Sequence, residues 1–248
     1  MFEVKTTEII SAFAVSYHGG LYMFTRVEKN INVTETINLI ENAVYKELKT
    51  LGFRKHGRTL HRFVSGDISH VIFFKCGQAY REETHLMWVR LGIRIPECVE
   101  RVFNPVNDKK YYHDYNCNMR SDLGAAKTRN KKKNKTFNLR KDDPENIFSE
   151  ILAILKKDVL PVFDVLSTRQ AVLDHRKDYP YFDTLNSHLI LLEEAMIYGH
   201  LGELDTAKET FDAYYKQARK ENINPRHIDY LDKLRIDLGL VRNCSEIT

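Results

Sequence analysis

The sequence contains little proline or glycine and lacks any long apolar run. Pro accounts for 6 of the 248 residues and Gly for 11, whereas 43% are apolar, so the chain is neither collagen-like nor a disordered linker. No apolar run approaches the roughly 20 residues that a membrane span needs. The first residues include Glu3 and Glu8 and no small-residue cleavage site, which argues against an export signal. We therefore expect a cytoplasmic protein of one or two domains without membrane contact.

Cysteine is also scarce, and the common motifs of catalysis are absent. Cys76, Cys98, Cys117 and Cys244 form no C-x-x-C pair, so we expect reduced thiols and no zinc knuckle. The sequence contains no H-E-x-x-H, G-x-G-x-x-G or G-x-S-x-G motif. We therefore predict no metal, no cofactor and no catalytic residue. The question of an enzyme stays open, but this composition weighs against one.

Negative charge is missing from one segment of the chain. Residues 127–141 hold eight Lys and Arg and no acid, so the rest of the chain carries 30 − 34 = −4 against +4 for the whole. Such a segment is typical of a surface for phosphates or acidic partners, or of a solvated loop that keeps the chain soluble. Its single aromatic residue, Phe137, is the one candidate for base stacking. The candidate nucleic-acid- or anion-binding residues are Arg120, Lys127, Arg129, Lys131, Lys132, Lys133 and Lys135.

Strand patterns dominate the first half of the sequence. Residues 9–17 and 21–28 flank paired glycines, which predicts a β-hairpin. An antiparallel meander is predicted for residues 59–64, 69–75 and 86–95. Its middle strand is apolar on both faces, so we expect it to be central. The alternation of side chains along paired strands could bring His61 and His70 onto one face of the sheet, although the sequence leaves the pairing register of the strands open. Trp88 is expected in the core.

Helical patterns dominate the second half, after one helix predicted near residues 32–51. Asp143, Pro144 and Glu145 form a favourable helix start, because a capping acid precedes a first-turn proline. Later helices are predicted near residues 167–176, 185–200, 204–220 and 225–238. The order favours an α+β fold, with an antiparallel sheet packed with helices and then an all-helical extension. We place the α+β domain at residues 1–180 and the extension at 181–248.

The middle of the chain resembles a known family. The resemblance rests on the segments KTLGFRK (49–55), TLHRF (59–63), VIFF (71–74), LGI (91–93) and CNMRSDL (117–123). Together they resemble a bacterial family catalogued as domain of unknown function 4304, over residues 35–175. Arg120 takes the first arginine position of a C-x-x-R-x-R segment, whereas Asp122 replaces the second, which puts a shared two-arginine anion site in doubt. The resemblance implies an α+β fold, no established activity, and an accessory role such as neutralising a toxin or serving a defence system.

A second resemblance lies near the C-terminus. The spacing of small and aromatic residues is similar to that of a tetratricopeptide helix pair, in which small residues let two helices approach. The residues that carry it are Ala195, Tyr198, Leu201, Gly202, Ala207 and Phe211. Because only one unit is visible, a helical hairpin packed on the preceding domain is the simpler interpretation.

Three functions remain open on the sequence alone. We expect a binding protein that contacts a protein partner, with no prediction of its oligomeric state. The first alternative is a nucleic-acid-binding module that uses residues 127–141 together with Arg120 and with Arg54 and Arg58. The second is a hydrolase or nuclease, which would need His113, Asp114 and Cys117 to converge with Arg120. Arginine–histidine pairs suited to RNA cleavage, at Arg54…His61 and Arg169…His175, occur at the frequency expected by chance.

Overall fold

A computed structural model describes residues 11–17, 20–26, 32–78, 85–100, 116–182, 189–221 and 225–240. The predicted hairpin is confirmed: β1 (Ser11–Tyr17) pairs antiparallel with β2 (Gly20–Arg26). Its connecting residues 18 and 19 lie outside the described residues.

The central feature is a six-stranded antiparallel sheet. Its strands are β3 (Arg54–His56), β4 (Thr59–Val64), β5 (Ile68–Gln78), β6 (His85–Arg94), β7 (Met119–Asp122) and β8 (Thr136–Asn138). The order is β3-β4-β5-β6-β7, and β8 pairs with the first residues of β6 while β7 pairs with the last ones. The predicted meander is therefore confirmed, with β5 between two strands.

The register of the sheet separates two faces. Leu60 lies opposite Ile72, and Ile72 lies opposite Leu91, so these apolar side chains share the face that joins the main hydrophobic core. His61 lies opposite Val71, whereas His70 lies opposite Arg62. Adjacent positions of a strand point to opposite faces, so the two histidines do not share a face.

The prediction that Trp88 belongs to the core is wrong. Trp88 is only half-buried, and the ammonium of Lys75 lies 5.9 Å from the centre of its ring. The two residues are direct cross-strand neighbours. Trp88 therefore lies inside the sheet, between Lys75 of β5 and Thr136 of β8, on the face opposite the buried Met87 and Val89, and its ring lies against the lysine side chain.

Helices cover the apolar face. They are α1 (Val33–Leu48), α2 (Pro96–Glu100), α3 (Leu123–Thr128), α4 (Pro144–Ile154), α5 (Leu160–Val165) and α6 (Arg169–His175). The side chain of Asn32 caps α1, and Gly52, with a φ of 86°, ends the 3-10 turn (Lys49–Leu51) that follows this helix. Asp143 caps α4, which confirms that predicted start. A π-helical turn (Leu155–Val159) connects α4 to α5 just before Pro161, which has no N–H to donate.

The last three helices form the extension, namely α7 (Ile190–Leu201), α8 (Leu204–Lys220) and α9 (Pro225–Asp237). Ala195, Ala207 and Phe211 are fully buried between α7 and α8. The extension is tied to the earlier helices by a buried ion pair between Arg176 and Glu193. The fold is α+β, and the boundary at residue 180 stays a prediction. None of the helices described is long and apolar enough to cross a bilayer.

Candidate anion-binding site

Asp122 organises the segment that the sequence analysis selected. It is the N-cap of α3, and its Oδ1 accepts hydrogen bonds from the backbone N–H of Gly124 at 2.8 Å and of Lys135 at 2.9 Å. One carboxylate therefore joins a helix start to a residue 13 positions later. Burial raises the pKa of Asp122, although these hydrogen bonds and the nearby charge of Arg90 oppose the rise.

Gly124 lets the later segment lie directly on α3. A Cβ atom at this position would be 2.5 Å from the backbone N of Lys135 and 2.6 Å from the carbonyl carbon of Asn134. Both atoms belong to the main chain, so neither can rotate away. Any other residue would force the backbones of the two segments apart.

The segment after α3 is an ordered turn, which we call the basic turn (residues 129–135). Arg129 ends α3 with a φ of 51°, and its N–H donates to the carbonyls of Ala125 and Ala126. The side-chain Oδ1 of Asn130 accepts from the N–H of Lys132 at 3.0 Å. With Asp122 holding Lys135, both ends of the turn are fixed. The segment lies on the surface, as expected for a solvated loop, but hydrogen bonds hold its backbone in one conformation.

Two of the predicted lysines converge on Glu150 of α4. The Nζ atoms of Lys127 and Lys135 each lie 2.9 Å from a different carboxylate oxygen of Glu150. The ammonium of Lys135 also lies 5.0 Å from the centre of the Phe137 ring. Phe137 is only 2% exposed, so it cannot stack on a nucleic-acid base.

The remaining basic residues of the turn face solvent. Arg129, Lys131, Lys132 and Lys133 are all exposed. Within the described part of the chain, neither Lys132 nor Lys133 forms an ion pair. Arg129 lies near Tyr181, where burial raises the tyrosine pKa and the arginine charge opposes that rise. The turn therefore presents positive charge from a fixed backbone.

Other predicted basic residues lie elsewhere. Arg120, half-buried on β7, donates from Nε to the carbonyl of Cys117 at 2.8 Å and is not part of the turn. Arg54 begins β3 and Arg58 follows it, at the opposite edge of the sheet from β7. Arg58 also approaches the buried Glu41 at 3.6 Å. The structure therefore does not combine Arg54 and Arg58 with the basic turn into one surface.

The residues proposed for an enzyme are only partly described. His113 and Asp114 lie outside the described residues. Cys117 is 1% exposed, and a Cβ at Gly92 would lie 2.5 Å from its Sγ, so this thiol is packed tightly against the sheet. Arg169 is held by both oxygens of Glu97, at 2.7 and 2.8 Å. Among the described residues, no three His, Cys, Asp or Glu side chains lie together as a metal site.

Sequence analysis missed the residues that shape the turn. The comparison with the family motif indicates only that Asp122 replaces an arginine, although an acid just before Leu-Gly-Ala-Ala is also a recognisable N-cap signal. Gly124 and Glu150 carry no such signal. Their roles depend on contacts with Lys135, at positions 11 and 15 residues away along the chain.

Comparison with known proteins gives one family match. Residues 44–165, just under half of the chain, match the family described as domain of unknown function (DUF4304). The matched segment runs from within α1 to the end of α5 and includes the whole sheet and the basic turn. This match supports the family resemblance seen in the sequence, and its description names no activity. No curated protein and no solved structure matches the chain.

Proposed function

We propose that this chain is a non-catalytic binding protein that uses the basic turn to contact an acidic surface of a protein partner. The observation that carries the proposal is that the backbone of the turn is pinned at both ends while Lys132 and Lys133 remain exposed. A prearranged loop loses less conformational entropy on binding than a mobile one does. The accessory role in toxin neutralisation or defence, suggested by the family resemblance, is the proposed context.

The composition of the turn favours a protein over a nucleic acid. Phe137, the one aromatic residue of the segment, is buried beneath Lys135 and offers no ring on which a base could stack. The exposed lysines Lys131, Lys132 and Lys133 lie together in one short turn, whereas nucleic-acid binding gains strength from many phosphate contacts and from stacked bases. Nucleic acid remains a second candidate, because residues 129–135 contain five basic residues and no acid.

The test compares two polyanions and two charge-matched variants. The turn variant carries Lys131→Glu, Lys132→Glu and Lys133→Glu. The control variant carries three equivalent changes at exposed lysines outside the turn, at Lys49, Lys157 and Lys216. Fluorescence anisotropy measures the binding of labelled poly-L-glutamate and of duplex DNA to each protein, at low and at physiological salt. Circular dichroism verifies that every variant is folded.

We expect the unmodified protein and the control variant to bind poly-L-glutamate more tightly than the turn variant does, by about tenfold or more, since three attractive charges become repulsive. Equal binding by the two variants would show that only net charge matters and would reject the role of the turn. Tighter binding of DNA than of poly-L-glutamate, with a steep loss as salt rises, would favour the nucleic-acid function instead.

A further inference from the structure

The pair formed by Lys127 and Lys135 has the geometry of an anion site. Their ammonium groups come from two different elements, α3 and the basic turn, and each lies 2.9 Å from one oxygen of the same carboxylate. Lys135 is further fixed by its backbone bond to Asp122 and by the ring of Phe137. Two positioned ammonium groups can hold any carboxylate or phosphate of similar size.

The present occupant of this site belongs to the chain itself. Burial raises the pKa of Glu150, but hydrogen bonds from Lys135 and Lys127 outweigh that effect, so the net pKa shift is downward and the carboxylate stays ionised at neutral pH. Glu150 is 32% exposed, and its partners are 49% and 34% exposed. Ion pairs this open to water are weak, so an incoming anion can replace Glu150 at little cost.

We propose that Glu150 is an internal competitor that occupies a two-lysine site, which a carboxylate of the acidic protein partner takes over on binding. This inference rests on the proposed function, because it assigns the partner a second point of contact beside the exposed lysines. In the free protein Glu150 lowers the affinity of the surface for weakly acidic molecules. A partner with a correctly placed acid displaces it, and Lys127 and Lys135 then contribute to binding.

The experiment measures poly-L-glutamate binding to a Glu150→Gln variant. Gln removes the charge but keeps the size and an acceptor oxygen, so the urea midpoint of unfolding should stay close to that of the unmodified protein. Glu209→Gln is the matched control, because Glu209 is exposed on α8 and its removal changes the net charge equally. Among the described residues Glu209 forms no ion pair.

We expect Glu150→Gln to bind poly-L-glutamate roughly threefold to tenfold more tightly than the unmodified protein. The reason is that the ligand then reaches Lys127 and Lys135 without first breaking two exposed ion pairs. Glu209→Gln should stay within about twofold. If Glu150→Gln binds no more tightly than Glu209→Gln, or more weakly, Glu150 only fastens the turn to α4 and the inference is wrong. The proposed function fails separately, if the turn variant binds as tightly as its own control.

Discussion

Replacing Asp122 tests whether one carboxylate holds the basic turn in place. Asp122→Ala removes the acceptor of two backbone donors, Gly124 N–H and Lys135 N–H. Loss of a helix N-cap costs about 0.5–2 kcal/mol. A buried donor left without an acceptor costs about 1–3 kcal/mol, and the Gly124 donor is buried. These costs overlap at Gly124 and are reduced because a buried charge is also removed, so we expect a net loss of about 2–4 kcal/mol.

Asp122→Asn is the matched control. Its Oδ1 keeps both backbone hydrogen bonds, and it loses only the long ion pair with Arg90 at 3.7 Å. Because the Oδ2 of Asp122 makes no hydrogen bond, we expect Asn to cost about 1 kcal/mol or less. Urea unfolding followed by circular dichroism gives both differences in the free energy of unfolding. Hydrogen exchange at the Lys135 amide gives a local measurement.

The two variants should differ at that amide as well as in stability. Exchange at Lys135 should be fast in Asp122→Ala and slow in Asp122→Asn, since only the second keeps the acceptor. The reasoning would be refuted if both variants had the same free energy of unfolding and the same exchange rate at Lys135. The turn would then be held by its other contacts.

Three more predictions concern packing, a buried charge and pH. Gly124→Ala should destabilise the fold by about 1–3 kcal/mol because its Cβ meets backbone, whereas Gly199→Ala, whose nearest contact is 3.5 Å, should stabilise α7 by up to about 1 kcal/mol in urea unfolding. Arg176→Met should cost about 3–5 kcal/mol by leaving Glu193 charged and buried, and Glu193→Leu in the same protein should recover most of that loss. Burial and then the charge of Arg62 lower the pKa of His70 to about 4, so His70 alone should lower the free energy of unfolding by about 3 kcal/mol, relative to His70→Phe, as the pH drops from 6.5 to 4.

The direction of the pH effect follows from proton binding. Between pH 6.5 and 4 the unfolded chain protonates His70 and the folded protein does not, so acid favours unfolding. Glu41 and Asp122 act in the opposite sense, because burial raises the pKa of both. Comparison with His70→Phe isolates the histidine contribution. An imidazole signal that titrates near 6.5 in the folded protein would contradict this prediction.

The predictions for Gly124 and for the pair of Arg176 and Glu193 each have an outcome that would contradict them. Equal stability of the Gly124 and Gly199 variants would show that the turn can move away from α3. Failure of the double variant to recover stability would show that the ion pair between Arg176 and Glu193 contributes more than its burial costs.

Local patterns in the sequence were sufficient for most of the elements. The predicted helix at residues 204–220 coincides with α8, and the predicted start at Asp143 is the N-cap of α4. The hairpin and the central position of β5 are also confirmed. Each of these depends on residues within a few positions of one another, where periodicity, caps and turns act directly.

The candidate site could be predicted only as a list of basic residues. Charge composition selected the turn, but it could not show that Lys127 and Lys135 share Glu150 or that Arg120 donates to the carbonyl of Cys117. It also selected Phe137 for stacking, and the residue is buried. The burial of a side chain and its ion pairs depend on which distant segments pack together, and amino-acid composition does not encode those contacts.

The sequence by itself determined that the chain folds as strands followed by helices, and where its positive charge is concentrated. The tertiary structure alone decided what that charge can do, because Asp122 and Gly124 fix the basic turn through contacts with Lys135. It also decided that His61 and His70 face opposite sides of the sheet. The physical reason is the same in both cases: strand register and loop docking are set by long-range packing, which short-range residue preferences do not encode.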